Sequence, residues 1–191
     1  MHGIVMNQFR QFALERMGRD GWREAADAAG VGHEVFEIGR IYPDEALGTL
    51  VAETARRTGE AAPALVEEFG VFIAPALLRV YEMLVDPAWR TLDVIEHTEQ
   101  VIHTVVRAKM PGAAPPLLDA RRTAPDTVVI DYRSPRRLCS LARGIARGMA
   151  LHFGETVEID ESECMHAGDP RCLITVHRTG EAPTTVDAAG V

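Results

Sequence analysis

A chain of 191 residues, 47% of them apolar, suits one domain, or one domain with a small subdomain, around a true core. The net charge of −8 excludes the basic face that non-specific nucleic-acid binding needs, and no apolar run has the length to cross a membrane. Met1-His2-Gly3-Ile4-Val5 lacks the basic-then-apolar layout of a secretory leader, so the expected address is the cytoplasm.

In chain order, Met6 to Met17 carries Phe9, Phe12, Ala13 and Met17 at helical spacing, ended by Gly18. Asp20 caps a short helix through Trp22 to Ala29, closed by Gly30. Tyr42-Pro43-Asp44 opens a third, with Leu47, Leu50, Val51 and Thr54 on one side and Gly59 past its end. Ala64 to Val85 is long and apolar, and Pro75 inside it predicts a kink or a split. Thr91 caps a helix running to about Lys109, stopped by Pro111-Gly112, and Pro115-Pro116 makes a stiff, extended corner.

The pattern then changes. Thr127 to Tyr132 is β-branched and apolar, a strand. Pro135 starts a helix through Leu138, Leu141, Ile145 and Met149 to Phe153. Thr156–Glu163 and Leu173–Val176 are strands flanking a turn at Gly168-Asp169-Pro170-Arg171. Strand, helix and hairpin imply an antiparallel sheet with a helix on it, hence an α+β domain over residues 1–178, helical to 110 and mixed from 111. Residues 179–191 are small, polar and Pro/Gly-containing and read as a disordered tail.

His103 lies among Val101, Ile102, Val105 and Val106, where burial would keep its imidazole neutral and fit to bind iron. The same surroundings suit a core histidine satisfied by hydrogen bonds. His97, among polar neighbours, reads as exposed. In Tyr132-Arg133-Ser134-Pro135-Arg136, strand alternation puts Tyr132 and Ser134 on one face, with Arg136 in the first turn of the next helix. One guanidinium and two hydroxyls suit a carboxylate ligand, and Ser134 before Pro135 also suits a helix cap. Cys139, Cys164 and Cys172 are an odd set that suggests no disulfide framework. They are buried thiols, or they share zinc with Glu161, His166 or His177 as fourth ligand. Asp44, Glu45, Glu67 and Glu68 read as helix-start and solvent-face charges. There is no P-loop, dinucleotide fingerprint, nucleophile elbow, H-E-x-x-H or deaminase motif.

Taken in order, the Met-His-Gly-Ile-Val start, Tyr42-Pro43, Val101-Ile102-His103, Pro115-Pro116 and Tyr132-x-Ser134-x-Arg136 resemble the H-NOX domain, the haem nitric oxide/oxygen sensor domain related to the haem domain of soluble guanylate cyclase. The resemblance covers residues 1 to about 178. It implies haem b buried between a helical N-terminal subdomain and a C-terminal subdomain with an antiparallel sheet and helices. His103 would be the proximal iron ligand, Tyr132, Ser134 and Arg136 would hold the propionates, and Pro116 would press the macrocycle out of plane. The three cysteines match a zinc site of some bacterial members, whose histidine ligand is replaced here by Glu161.

Oxygen on ferrous haem gains negative charge and usually needs a hydrogen-bond donor, whereas nitric oxide does not. Where oxygen-binding relatives carry a tyrosine, this chain has Leu141, and the other implied distal residues, Val5, Phe9, Ile73, Ala74 and Leu78, are all apolar. The expectation is a sensor that binds nitric oxide, with carbon monoxide as a further ligand, and excludes oxygen. It would signal by releasing the His103 helix to a histidine kinase or cyclic-di-GMP enzyme in trans, since neither fits in 191 residues. A peroxidase would need a distal His or Arg, so no enzyme activity is expected. The alternative is a zinc or thiol redox module using the three cysteines, with or without haem.

Overall fold

The computed structural model describes residues 1–32 and 35–181. The expected tail at 179–191 falls outside these residues from 182 onward. Thr179 to Glu181 belong instead to the last strand, because backbone pairing with Glu155 and Thr156 is indifferent to their polar side chains.

Among the described residues, six α-helices and four strands follow in order: α1 (Gly3–Ala28), α2 (Asp44–Thr58), α3 (Ala62–Val80), α4 (Thr91–His97), α5 (Thr104–Lys109), β1 (Leu117–Ala124), β2 (Thr127–Arg133), α6 (Cys139–His152), β3 (Glu155–Glu163) and β4 (Cys172–Glu181). A single turn of 3-10 helix, Glu82–Leu84, follows α3, and a π-helical stretch, Thr98–His103, joins α4 to α5. The two helices expected before Gly30 run on as α1, bent at Gly18, whose φ of 70° is left-handed backbone open to glycine. Pro75 lies inside α3 without splitting it, and the helix stops at Val80, short of the expected Val85.

The sheet is antiparallel throughout, in the order β1-β2-β4-β3. The sequence reading missed β1. This edge strand alternates exposed and half-buried residues and carries Asp119, Arg121 and Arg122, so it lacks the apolar face of a typical strand. One face of the sheet contributes Val128, Ile130, Tyr132, Cys172, Ile174 and Val176 to the core. Among the described residues no single helix is long and apolar enough to cross a membrane.

Two clusters make up the core. One gathers Phe9, Phe12, Trp22, Leu50, Leu65, Phe69 and Ile73 from α1, α2 and α3; the other joins Ala74, Leu78, Leu92 and Val94 to the sheet and α6. Helix α3 thus serves the helical half with its first part and the sheet half with its last. It meets α6 along Gly70, Gly144 and Gly148, where a Cβ on Gly144 would lie 1.9 Å from the Glu67 carbonyl oxygen. Glu67, read as a solvent-face charge, is instead clamped to α6 by Arg143 (2.9 Å) and Arg147 (3.0 Å).

Candidate functional site

The segment bearing His103 starts at a buried threonine. Thr91 is the first helical residue rather than the cap, because the Glu155 carboxylate accepts its backbone N–H at 3.1 Å and leaves Arg90 as N-cap. The expected unbroken helix to Lys109 changes to π geometry over Thr98–His103. Such wide turns concentrate at functional sites. His97 is half-buried, stacked on Trp89 (centroids 4.5 Å apart) and bonded to the Asp93 carbonyl, not exposed as expected.

The His103 side chain is 15% exposed. Its Nδ1 lies 3.0 Å from Glu99 Oε2, and the Pro116 carbonyl also meets the ring. Burial pushes the imidazole pKa down despite the opposing pull of these two acceptors, so the ring is neutral near pH 7, the form that ligates metals. Burial alone would raise the Glu99 carboxyl. Hydrogen bonds from His103, Arg107 and the Leu118 N–H outweigh it and hold the group below the usual carboxylate range. Sequence reasoning passed over Glu99, although a carboxylate four residues before a histidine shares its helix face.

Tyr132 faces the core from β2 and is 2% exposed. Its hydroxyl meets Ser134 and the Leu138 N–H, and burial pushes its pKa up to about 12. Ser134 is buried too, but it caps no helix: α6 begins only at Cys139, beyond a turn in which Arg137 takes φ 51°. Ser134 Oγ accepts the Arg136 N–H instead, at 3.2 Å. The Arg136 guanidinium reaches Asp44 Oδ2 (Nε–Oδ2 2.8 Å) and donates to the Ala114 carbonyl. Asp44 also holds the N-terminal amine at 2.7 Å, so this residue ties the N-terminus to Arg136 and is not a plain helix-start charge. Two of the expected groups meet Ala114–Leu118, Arg136 at its start and His103 beside Pro116, and the unforeseen Glu99 holds Leu118 (3.2 Å).

Phe9 and Ile73 are fully buried in the helical cluster, with Phe9 edge-on to Phe69 (5.1 Å) and Val5 and Leu141 packed alongside. Ala74 and Leu78 lie in the sheet-side cluster. The apolar residues expected on the distal side thus spread along α1, α3 and α6, and none carries a hydrogen-bonding side chain. A neutral imidazole, a Tyr–Ser–Arg donor set and apolar walls are the chemistry a haem requires, so the residues present fit that group.

Cys139 Sγ lies 3.8 Å from Cys164 Sγ, and Cys172 Sγ lies 4.0 Å from it. With a carboxylate oxygen of Glu161, the ligand atoms of all four residues fall within 4.8 Å of one another. Glu161 Oε2 pairs with Arg143, while Oε1 is buried with no hydrogen-bond partner. His166 stands outside this cluster, its Nε2 turned to the Arg137 carbonyl at 2.7 Å, and His177 lies against Thr127 on β4. His166 is engaged in the turn after β3 and His177 on β4, so neither joins the cluster found among the described residues. Burial, with the Glu161 charge second, pushes Cys139 up, and burial pushes Cys172 up to about 11.

A comparison with curated proteins returned no match. Among solved structures, the chain resembles an H-NOX protein from S. oneidensis in its Fe(II)NO ligation state, with a TM-score of 0.87 and 24% identity over 94% of this chain and 100% of that one. The H-NOX domain from Shewanella oneidensis in its Fe(II)CO state gives 0.83 and 25% over 93% and 98%. A mutant H-NOX from T. Tengcongensis gives 0.82 and 18% over 95% and 99%. These likenesses establish the α+β H-NOX fold. The family model described as Haem-NO-binding matches residues 2–161, most of the sequence, and the chain therefore belongs to the Haem-NO-binding family, the H-NOX domains with a haem-based gas-sensor fold.

Proposed function

We propose that this domain is a nitric oxide sensor that excludes oxygen, in which His103 would hold the haem iron and Tyr132, Ser134 and Arg136 would hold the propionates. The observation that carries the reading is a buried, neutral His103 imidazole beside Pro116, with Arg136 reaching the start of the same segment at Ala114 and Ser134 joining Arg136 to the Tyr132 hydroxyl. Ferrous haem b, when bound, supplies the iron that takes a diatomic gas. Val5, Phe9, Ile73, Ala74, Leu78 and Leu141 offer that gas no proton, which penalises oxygen far more than nitric oxide. His103 then acts as the switch. Were His103 released, the Thr98–Lys109 segment would lose a tether and Pro116 would be free to shift, and a partner in trans, a histidine kinase or cyclic-di-GMP enzyme, would read the movement. The gas must favour the released conformation for this to work. We read the chain from residue 1 through the end of β4 at Glu181 as a single domain, in the cytoplasm and without catalytic activity.

Absorption spectroscopy of the reconstituted chain tests this. A Soret band that His103→Gly abolishes or makes imidazole-dependent supports the ligand assignment. A ferrous form that gives a nitric oxide spectrum but no stable oxygen spectrum supports the selectivity. A persistent oxygen spectrum refutes the latter.

The four-residue cluster favours a second metal centre, which we propose is structural zinc held by Cys139, Cys164, Cys172 and Glu161. Thiolates about 2.3 Å from zinc in a tetrahedron lie about 3.8 Å apart, close to the sulfur spacings here. The unpartnered Glu161 Oε1 is the fourth donor, and Arg143 on Oε2 steadies it from behind. Metal analysis should find one zinc per chain, lost in Cys164→Ser. Equal zinc in the two proteins refutes the site.

A further inference from the structure

We infer that Glu99 is a positioning residue for the axial ligand: its charge sets how firmly His103 holds iron, and its bond to Leu118 carries the state of His103 to the strand after the proline corner. The inference rests on the haem reading above.

Glu99 and His103 stand at i and i+4 within the π-helical stretch, both largely buried, 20% and 15% exposed at the side chain. The Nδ1–Oε2 separation of 3.0 Å leaves Nε2 as the ring nitrogen for iron. A carboxylate on the far nitrogen of a ligating imidazole fixes its tautomer and orientation and makes the near nitrogen a stronger donor. The local geometry is secured twice over, since Thr104 Oγ1 donates to the Glu99 carbonyl at 3.0 Å and Arg107 pairs with Oε1.

Two neighbours compete for the same charge. Arg107 draws on Oε1 from α5, and Leu118 N–H shares Oε2 with His103 at 3.2 Å. The strength of the His103 interaction is therefore a balance, and the Leu118 bond makes that balance mechanical. Leu118 is the second residue of β1 and lies two places past Pro116. When His103 lets go and its helix turns, Glu99 turns with it, and Leu118 loses its acceptor or follows. One carboxylate thus links the iron ligand, the helix that bears it and the edge strand that the sequence reading overlooked.

The test uses the full haem-loaded chain with Glu99→Gln, close in size but uncharged, and Arg107→Gln, which removes the competitor. Resonance Raman spectroscopy of the ferrous form reads the iron–histidine stretch. Absorption spectra at rising nitric oxide read the fraction of His103 released. Glu99→Gln should lower the stretch and shift the release equilibrium about 10-fold or more toward the freed form. Arg107→Gln should raise the stretch and shift release the other way. A role confined to packing would move both variants in one direction, and that result overturns the inference, as does a Glu99→Gln stretch equal to the wild type's. A chain whose wild type takes up no haem, or whose His103→Gly spectrum equals the wild type's, overturns the haem reading itself and this inference with it.

Discussion

Replacing Gly144 by alanine probes the contact on which the two halves of the domain depend. A Cβ at Gly144 would lie 1.9 Å from the Glu67 carbonyl oxygen and 2.8 Å from the Gly70 Cα, inside the 3.0 Å that real Cβ contacts respect. Both obstacles are backbone of α3, so no side-chain rotation relieves them. The helices must part by roughly 1 Å or more, which also strains the Arg143 and Arg147 clamps on Glu67. Overpacking of this kind costs about 1–3 kcal/mol, and a clash with backbone belongs at the upper end. At about 2–4 °C per kcal/mol for a chain of this size, Tm should fall by about 6–12 °C. Gly48→Ala on α2 is the control. No heavy atom lies within 4 Å of its added Cβ, and alanine in a helix interior should raise stability by about 0.5–1 kcal/mol. Thermal melts followed by circular dichroism on the three proteins give the answer. A Gly144→Ala melt within about 2 °C of wild type would refute the claim that α3 and α6 touch through glycine.

Glu155→Gln should cost about 1–3 kcal/mol, because the buried carboxylate that accepts Thr91 N–H and pairs with Arg178 loses its charge. Burial would raise this carboxyl, but its hydrogen bonds lower it below the ordinary 4.5. The unfolded chain therefore binds the extra proton first, and the contribution is present above pH 4.5 and lost as pH falls below it. Urea melts at neutral pH and at successively lower pH should show the gap between the two proteins closing with acid. Leu141→Tyr adds one donor to the apolar wall and should give the ferrous protein a stable oxygen spectrum in air where the wild type gives none, read by absorption. Arg136→Ala removes the guanidinium from Asp44 and the Ala114 carbonyl, and should speed haem transfer to an acceptor globin about 10-fold.

Much of the fold was readable along the chain. Helical spacing located α1, α2 and α3, and Gly18 and Gly59 marked their breaks, because these are events within one or two turns. Strands β2, β3 and β4 declared themselves by β-branched alternation, whereas β1 did not, since an edge strand facing solvent needs no apolar run. Pro135 misled: a residue suited to the first helical turn lies here in the turn before α6, where Arg137 takes left-handed backbone.

By itself the sequence determined an α+β domain, a neutral histidine on a helix, the Tyr–Ser–Arg trio and three cysteines without a disulfide framework, because residue type and local spacing dictate these. Only the tertiary structure decided that Asp44 meets Arg136, that Glu161 and not His166 completes the thiol cluster, and that His103 and Glu99 reach the proline corner. Those pairings join residues up to 92 positions apart, and they follow from how α3 seats against α6 and how β1 closes on β2. No periodicity within a single element encodes where two elements touch; packing of their side chains and backbones does.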